Sequence, residues 1–117
     1  MASVPSGTAG RVIGQLALKA FPCTDVRRGE KERTRDRLRH ALIYATTAGG
    51  ATRSADLTAA EVAAVCNRLE DVIAGRLLFE LDADGVRFWY QPGSDGVESL
   101  ARPVDVPWAS IDPEAAA

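Results

Sequence analysis

The sequence predicts a small α+β domain: about three helices followed by a C-terminal two-stranded β-hairpin. Three observations carry that expectation. Thr58 followed three residues later by Glu61 is a capping box, in which each side chain bonds the other residue's backbone N–H at the start of a helix. The apolar residues Val62, Val65, Cys66, Leu69, Val72 and Ile73 then recur at helical spacing until Gly75 stops them. Beyond that glycine, Phe79, Leu81, Phe88 and Tyr90 fall on one strand parity around Asp84-Gly85, a tight-turn dipeptide.

Residues 1–9 are small and polar, with Pro5 and Gly7, and are expected to form a flexible lead-in. Ile13, Leu16, Ala17, Ala20 and Phe21 then mark a first helix over residues 10–21. Pro22 ends it, because a proline disfavours helical geometry in the residue before it. A charged helix is expected over residues 30–48. Leu38, Ala41, Leu42 and Ala45 form its buried stripe, Ile43 and Tyr44 widen it, and Gly49-Gly50 stops it. A short polar connection over 51–56 leads to the third helix, residues 58–74, where Leu57 and Val62 occupy the positions of a hydrophobic staple.

A two-residue type I′ turn at Asp84-Gly85 places Leu81 opposite Phe88 and Phe79 opposite Tyr90, all four facing the core. Asp82 opposite Arg87 and Glu80 opposite Trp89 then share the outer face with Leu78. A longer turn over residues 82–85 keeps the same parity. After Pro92 the periodicity is lost. Pro103, Pro107 and Pro113 imply an extended tail over 93–117, with Trp108 and Ile111 as its only anchors. The helix-helix-helix-hairpin domain is thus expected to occupy residues 10–92.

At 117 residues the chain is long enough to bury a core without a disulfide or metal. No apolar run approaches the ~20 residues that cross a bilayer, and no charged segment precedes an apolar one near the N-terminus. A cytoplasmic protein with no membrane partner is expected. Cys23, Cys66 and His40 total three thiol or imidazole groups, whereas a structural zinc site uses four ligands. Gly7, Gly10 and Gly14 are followed by no GK[ST] and preceded by no strand, so they are not a phosphate loop. The serines lack the elbow that exposes a nucleophile, and Asp82 and Asp84 sit at a turn tip rather than in a cleft. The expectation is a protein without cofactor that is not an enzyme.

Two surfaces are candidates for binding. Between Arg27 and His40 lie Arg27, Arg28, Lys31, Arg33, Arg35, Arg37 and Arg39 against Glu30, Glu32 and Asp36. That stretch is locally positive in a chain whose net charge is −2, so charge is segregated along the sequence. A helix face of this kind suits phosphates or an acidic protein; it equally suits a solvated face held by short-range ion pairs. The second surface is the outer side of the hairpin, where Trp89 stands with Leu78, Glu80 and Arg87. A tryptophan there is either a binding anchor or is covered by a C-terminal segment led by Trp108. The hairpin edge is a third possibility, for self-association.

The run Leu69-Glu70-Asp71-Val72-Ile73-Ala74-Gly75-Arg76-Leu77-Leu78 is similar to the end of a recognition helix entering the first strand of a wing. Residues 33–91 accordingly resemble a winged helix-turn-helix domain, with 33–48 as an early helix and 76–81 with 86–90 as the wing. The resemblance implies DNA binding or, as in other winged-helix modules, protein binding. The helix that would read bases presents Ala59, Ala63, Ala64, Asn67, Arg68, Glu70 and Asp71, a small and faintly acidic face. The wing tip carries Asp82 and Asp84, which repel phosphate. The leading expectation is therefore a non-catalytic regulatory or accessory module that binds a protein partner through Leu78, Trp89, Glu80 and Arg87. The alternative is a nucleic-acid-binding regulator using Arg28, Arg33, Arg35, Arg37 and Arg39, and the third a self-assembling structural protein.

Overall fold

The computed structural model describes residues 6–23, 30–91 and 103–111. The fold is α+β, with helices α1 (Ser6–Ala20), α2 (Lys31–Thr46), α3 (Ala59–Ile73) and α4 (Trp108–Ile111). Strands β1 (Leu77–Leu81), β2 (Gly85–Tyr90) and β3 (Val104–Pro107) form one antiparallel sheet in that order. The ribbon is thus three-stranded where the sequence led us to expect two, because the proline-flanked tail supplies β3 and α4. Helix α1 starts at Ser6, ahead of the expected residue 10. Residues 1–5, 24–29 (with Arg27 and Arg28), 92–102 and 112–117 lie outside the described set.

The core gathers one face of each element. Ile13, Ala17 and Phe21 from the first segment, Leu38, Ala41, Leu42 and Ile43 from α2, and Val65 and Leu69 from α3 are fully or almost fully buried. They meet Leu77, Val86, Phe88, Val106 and Trp108 from the sheet side. Phe21 packs edge-on against Phe79 with ring centroids 5.2 Å apart. Ile73, expected on the buried face of α3, is instead 45% exposed as the last residue of that helix.

Helix ends are set by local bonds. Thr58 Oγ1 accepts from Glu61 N while Glu61 Oε1 accepts from Thr58 N, the expected reciprocal cap. At the other end Arg76 N donates to Asp71 O and Gly75 N to Val72 O, with Gly75 at φ +80°, the Schellman arrangement. Helix α2 stops one residue earlier than its glycines suggest. Ala48 takes the left-handed position at φ 51°, and Gly49 N donates back to Tyr44 O.

The hairpin uses the longer turn. Asp82 Oδ1 accepts from both Asp84 N and Gly85 N, closing a loop over residues 82–85 instead of a two-residue turn. The register shifts accordingly: Phe79 pairs with Phe88 and Leu81 with Val86. The parity is as expected, yet Leu81 is a correction. It is 41% exposed at the strand end, whereas Leu77 and Val86 take the buried places. Gly85 does not need left-handed backbone; a Cβ there would overlap Val106 O and lie 2.9 Å from Pro107 Cα, so its missing side chain lets β3 approach.

Candidate functional site

Alternation along β1 and β2 turns even-numbered residues of β1 and odd-numbered residues of β2 to the outer face. The register then sets Leu78 opposite Trp89 and Glu80 opposite Arg87, so the four residues expected to bind protein form two adjacent cross-strand pairs. Leu78 and Trp89 are half-buried, while Glu80 and Arg87 are exposed. None of the four belongs to the buried core cluster.

Strand β3 adds a fifth member that sequence reasoning missed. Arg87 pairs with Asp105, donating from Nε to Oδ1 at 2.6 Å and from its terminal nitrogen to Oδ2 at 3.2 Å. The two-point fit explains why Arg87 leans towards β3 rather than towards Glu80. That hydrogen bond raises the Arg87 pKa and lowers that of Asp105, so both groups hold their charge more firmly. The available signal was the alternation Val104-Asp105-Val106, hidden between two prolines.

Trp108 does not fold over Trp89. Its indole N–H donates to Asp82 O at 3.0 Å and its backbone N–H to Asp84 O at 2.9 Å. The Arg37 guanidinium lies over its ring, 5.5 Å from the centroid. Trp108 therefore seals the core beneath the turn.

The arginines of α2 are divided rather than aligned. Arg35 Nε donates to Phe21 O at 2.9 Å and its terminal nitrogen to Pro22 O at 3.3 Å, satisfying carbonyls left over at the end of α1. Arg37 covers Trp108, and Arg39 pairs with Asp36 at 3.1 Å. Arg33 is exposed, and Arg28 lies outside the described residues.

A second polar cluster joins α3 to the sheet. Asp71 Oδ1 accepts from Arg76 Nε at 3.1 Å and from its terminal nitrogen at 2.7 Å, while Asp71 Oδ2 accepts from Tyr90 Oη at 2.7 Å. Burial, then the bond to the Asp71 carboxylate, pushes the Tyr90 pKa up to about 12. The Cys66 thiol is also raised, by burial and then by the Glu70 carboxylate one turn on, which disfavours the reactive thiolate.

The hollow beside the turn has a volume of about 510 Å³ and is lined by Arg37, Asp82, Ala83, Asp84, Trp108 and Ala109. Among the described residues its lining has no histidine, cysteine or serine, and Asp82 Oδ1 is already engaged by two backbone donors. Among the described residues, no group of three or more His, Cys, Asp or Glu is placed to hold a metal ion, and no helix is long and apolar enough to cross a membrane. Comparison with protein-family models, curated proteins and solved structures returned no match to this chain.

Proposed function

We propose that this chain is a small, non-catalytic interaction module, a regulatory or accessory unit of the cytoplasm that binds a protein partner through the outer face of its sheet. The observation that carries the reading is Trp89, paired with Leu78 outside the core cluster and next to the charged set Glu80, Arg87 and Asp105. An aromatic anchor bordered by a polar rim is the composition of a binding hot spot. The winged-helix-like reading of residues 33–91 belongs to the same proposal, since α3 runs through Gly75 into the ribbon. Binding to a protein is preferred over binding to nucleic acid because Arg35, Arg37 and Arg39 each contact groups within the chain.

The test is Trp89→Ala. Loss of a hot-spot side chain costs about 2 kcal/mol or more in binding, roughly a thirtyfold weaker complex with the partner captured from the native host. The thermal transition should move by only a few degrees. A collapse of that transition would make Trp89 a core residue and remove the proposal's contact. Salt-sensitive binding of duplex DNA, lost on Arg33→Ala, would favour the nucleic-acid reading instead.

A further inference from the structure

We infer that the β3-facing edge of β2 is a strand-binding seat closed by the chain's own residues 103–111, which detach as a unit to admit a partner segment of matching pattern. That pattern is apolar, acidic, apolar and, two residues on, a tryptophan, the order Val104-Asp105-Val106-Pro107-Trp108 that occupies the seat here. The seat shares Arg87 with the outer face of the sheet but needs nothing from Leu78 or Trp89, so it goes beyond the function proposed above.

Each part of the seat recognises one feature of a strand. Asp82 N donates to Gly85 O and Gln91 N to Arg76 O, so odd-numbered residues of β2 bond to β1. Val86 and Phe88 therefore turn their N–H and C=O groups to β3, opposite Val106 and Val104. Gly85, with no Cβ, lets the strand come close. Arg87 meets the acidic position with two hydrogen bonds. Val106 is buried in the core, and beyond it Asp84 O and Asp82 O accept from the backbone and indole N–H groups of Trp108. In strand-addition sites backbone pairing gives affinity and side-chain pockets give selectivity.

The present occupant is the element the fold can spare. Among the described residues β3 and α4 pack chiefly on β2 and α2, whereas α1, α3 and β1 pack on one another and on those same two elements. The contacts of the Phe79 ring with Phe21 and Phe88 also lie outside the segment. By alternation, only Val104 and Val106 of the residues in β3 bond to β2. The Arg87–Asp105 pair is exposed on both sides, so water screens it. A small unit with so few anchors opens at lower free energy than the core beneath it. The docked segment also leaves unfilled the hollow of about 510 Å³ beside Ala109, where Asp82 and Asp84 face Arg37. A partner with a basic residue in place of that alanine fills the hollow and gains a contact the chain's own segment lacks. That gain lets it compete with a tethered segment held at an effective concentration of ~1 mM.

Hydrogen exchange on the full chain reads the detachment. Amides of Val86 and Phe88 should exchange together with those of Val104, Val106 and Trp108, roughly a hundredfold faster than Arg87 and Trp89 on the same strand. Equal protection of the two sets would mean that the segment leaves only when the whole chain unfolds, and would overturn the inference. A fluorescent peptide of residues 103–111 carrying Ala109→Lys then tests the seat. It should bind the full chain saturably, and roughly tenfold more tightly when the chain carries Asp105→Lys, an exposed change that turns its own segment away from Arg87. The same peptide with Asp105→Lys should bind roughly tenfold more weakly. No binding to the Asp105→Lys chain at ~1 mM peptide would refute the seat. A chain dimer that displaces the peptide would refute the foreign partner, making the second copy's residues 103–111 the occupant. Neither readout involves a partner captured through Trp89, so failure here leaves the outer-face reading standing.

Discussion

Replacing Gly85 with alanine probes the contact on which the third strand depends. An ideal Cβ at Gly85 would overlap Val106 O and stand 2.9 Å from Pro107 Cα and 3.0 Å from the Val106 carbonyl carbon. Carbon atoms pack comfortably at about 3.5–4.0 Å, so β3 would have to retreat by roughly an ångström. The obstacles are backbone atoms, which have no rotamer to escape into. Overpacking of a tight site costs about 1–3 kcal/mol, and a site walled by backbone belongs at the upper end. The ceiling is release of β3 and α4 altogether. That would expose Val106 and Trp108, at about 2 kcal/mol each, and break two hydrogen bonds to the turn worth about 1 kcal/mol each. Gly85→Ala should therefore destabilise by about 3 kcal/mol, lowering Tm by about 10 °C. Urea unfolding separates the two responses: the m-value is unchanged if β3 shifts and falls if β3 leaves, because the native state then already exposes surface. Gly75→Ala is the reference. Its φ of +80° with no atom within 4 Å of a new Cβ makes its cost purely conformational, about 1 kcal/mol. If Gly85→Ala lies within about 0.5 kcal/mol of the wild type, Val106 does not approach Gly85 and the docking of β3 is refuted.

Two further outcomes follow from the junctions. Ala48 pays about 1–2 kcal/mol for a left-handed φ of 51°, partly offset by the extra freedom that glycine would have when unfolded. Ala48→Gly should thus stabilise by about 0.5 kcal/mol, a Tm gain of about 2 °C. Tyr90 has its pKa raised from 10.0 to about 12, so the folded state favours the protonated phenol. The stability this adds is complete below pH 10 and is lost as pH rises from about 10 to about 12. For a half-exposed ring, solvent screening leaves about 1 kcal/mol. Chemical denaturation across that window should show this fall in the wild type and not in Tyr90→Phe; equal slopes would remove the Tyr90–Asp71 bond from the account.

How much could be read beforehand depended on the range of the signal. The start of α3 lies in Thr58 and Glu61, three residues apart, and its end in Gly75 beside Val72 and Asp71; each motif satisfies backbone groups within one turn. The inward parity of Phe79, Phe88 and Tyr90 is equally local, since side chains alternate along any strand. The hairpin register was misjudged by a step because Asp82 captured two backbone donors and lengthened the loop. The placement of Leu78, Trp89, Glu80 and Arg87 on one surface was therefore accessible, but the partner of Arg87 was not.

What the sequence by itself determined is the order of the helices, the capped and glycine-closed α3, and the two-faced ribbon, because these follow from bonds and periodicities spanning a few residues. Only the tertiary structure decided that residues 104–107 return to β2, that Trp108 roofs the core under Arg37, and that Arg35 closes the end of α1. Those contacts join residues separated by 13 positions or more, such as Arg87 with Asp105 at 18 and Trp108 with Asp82 at 26. No local pattern selects such partners; they are chosen by which groups the packed core leaves within reach of one another.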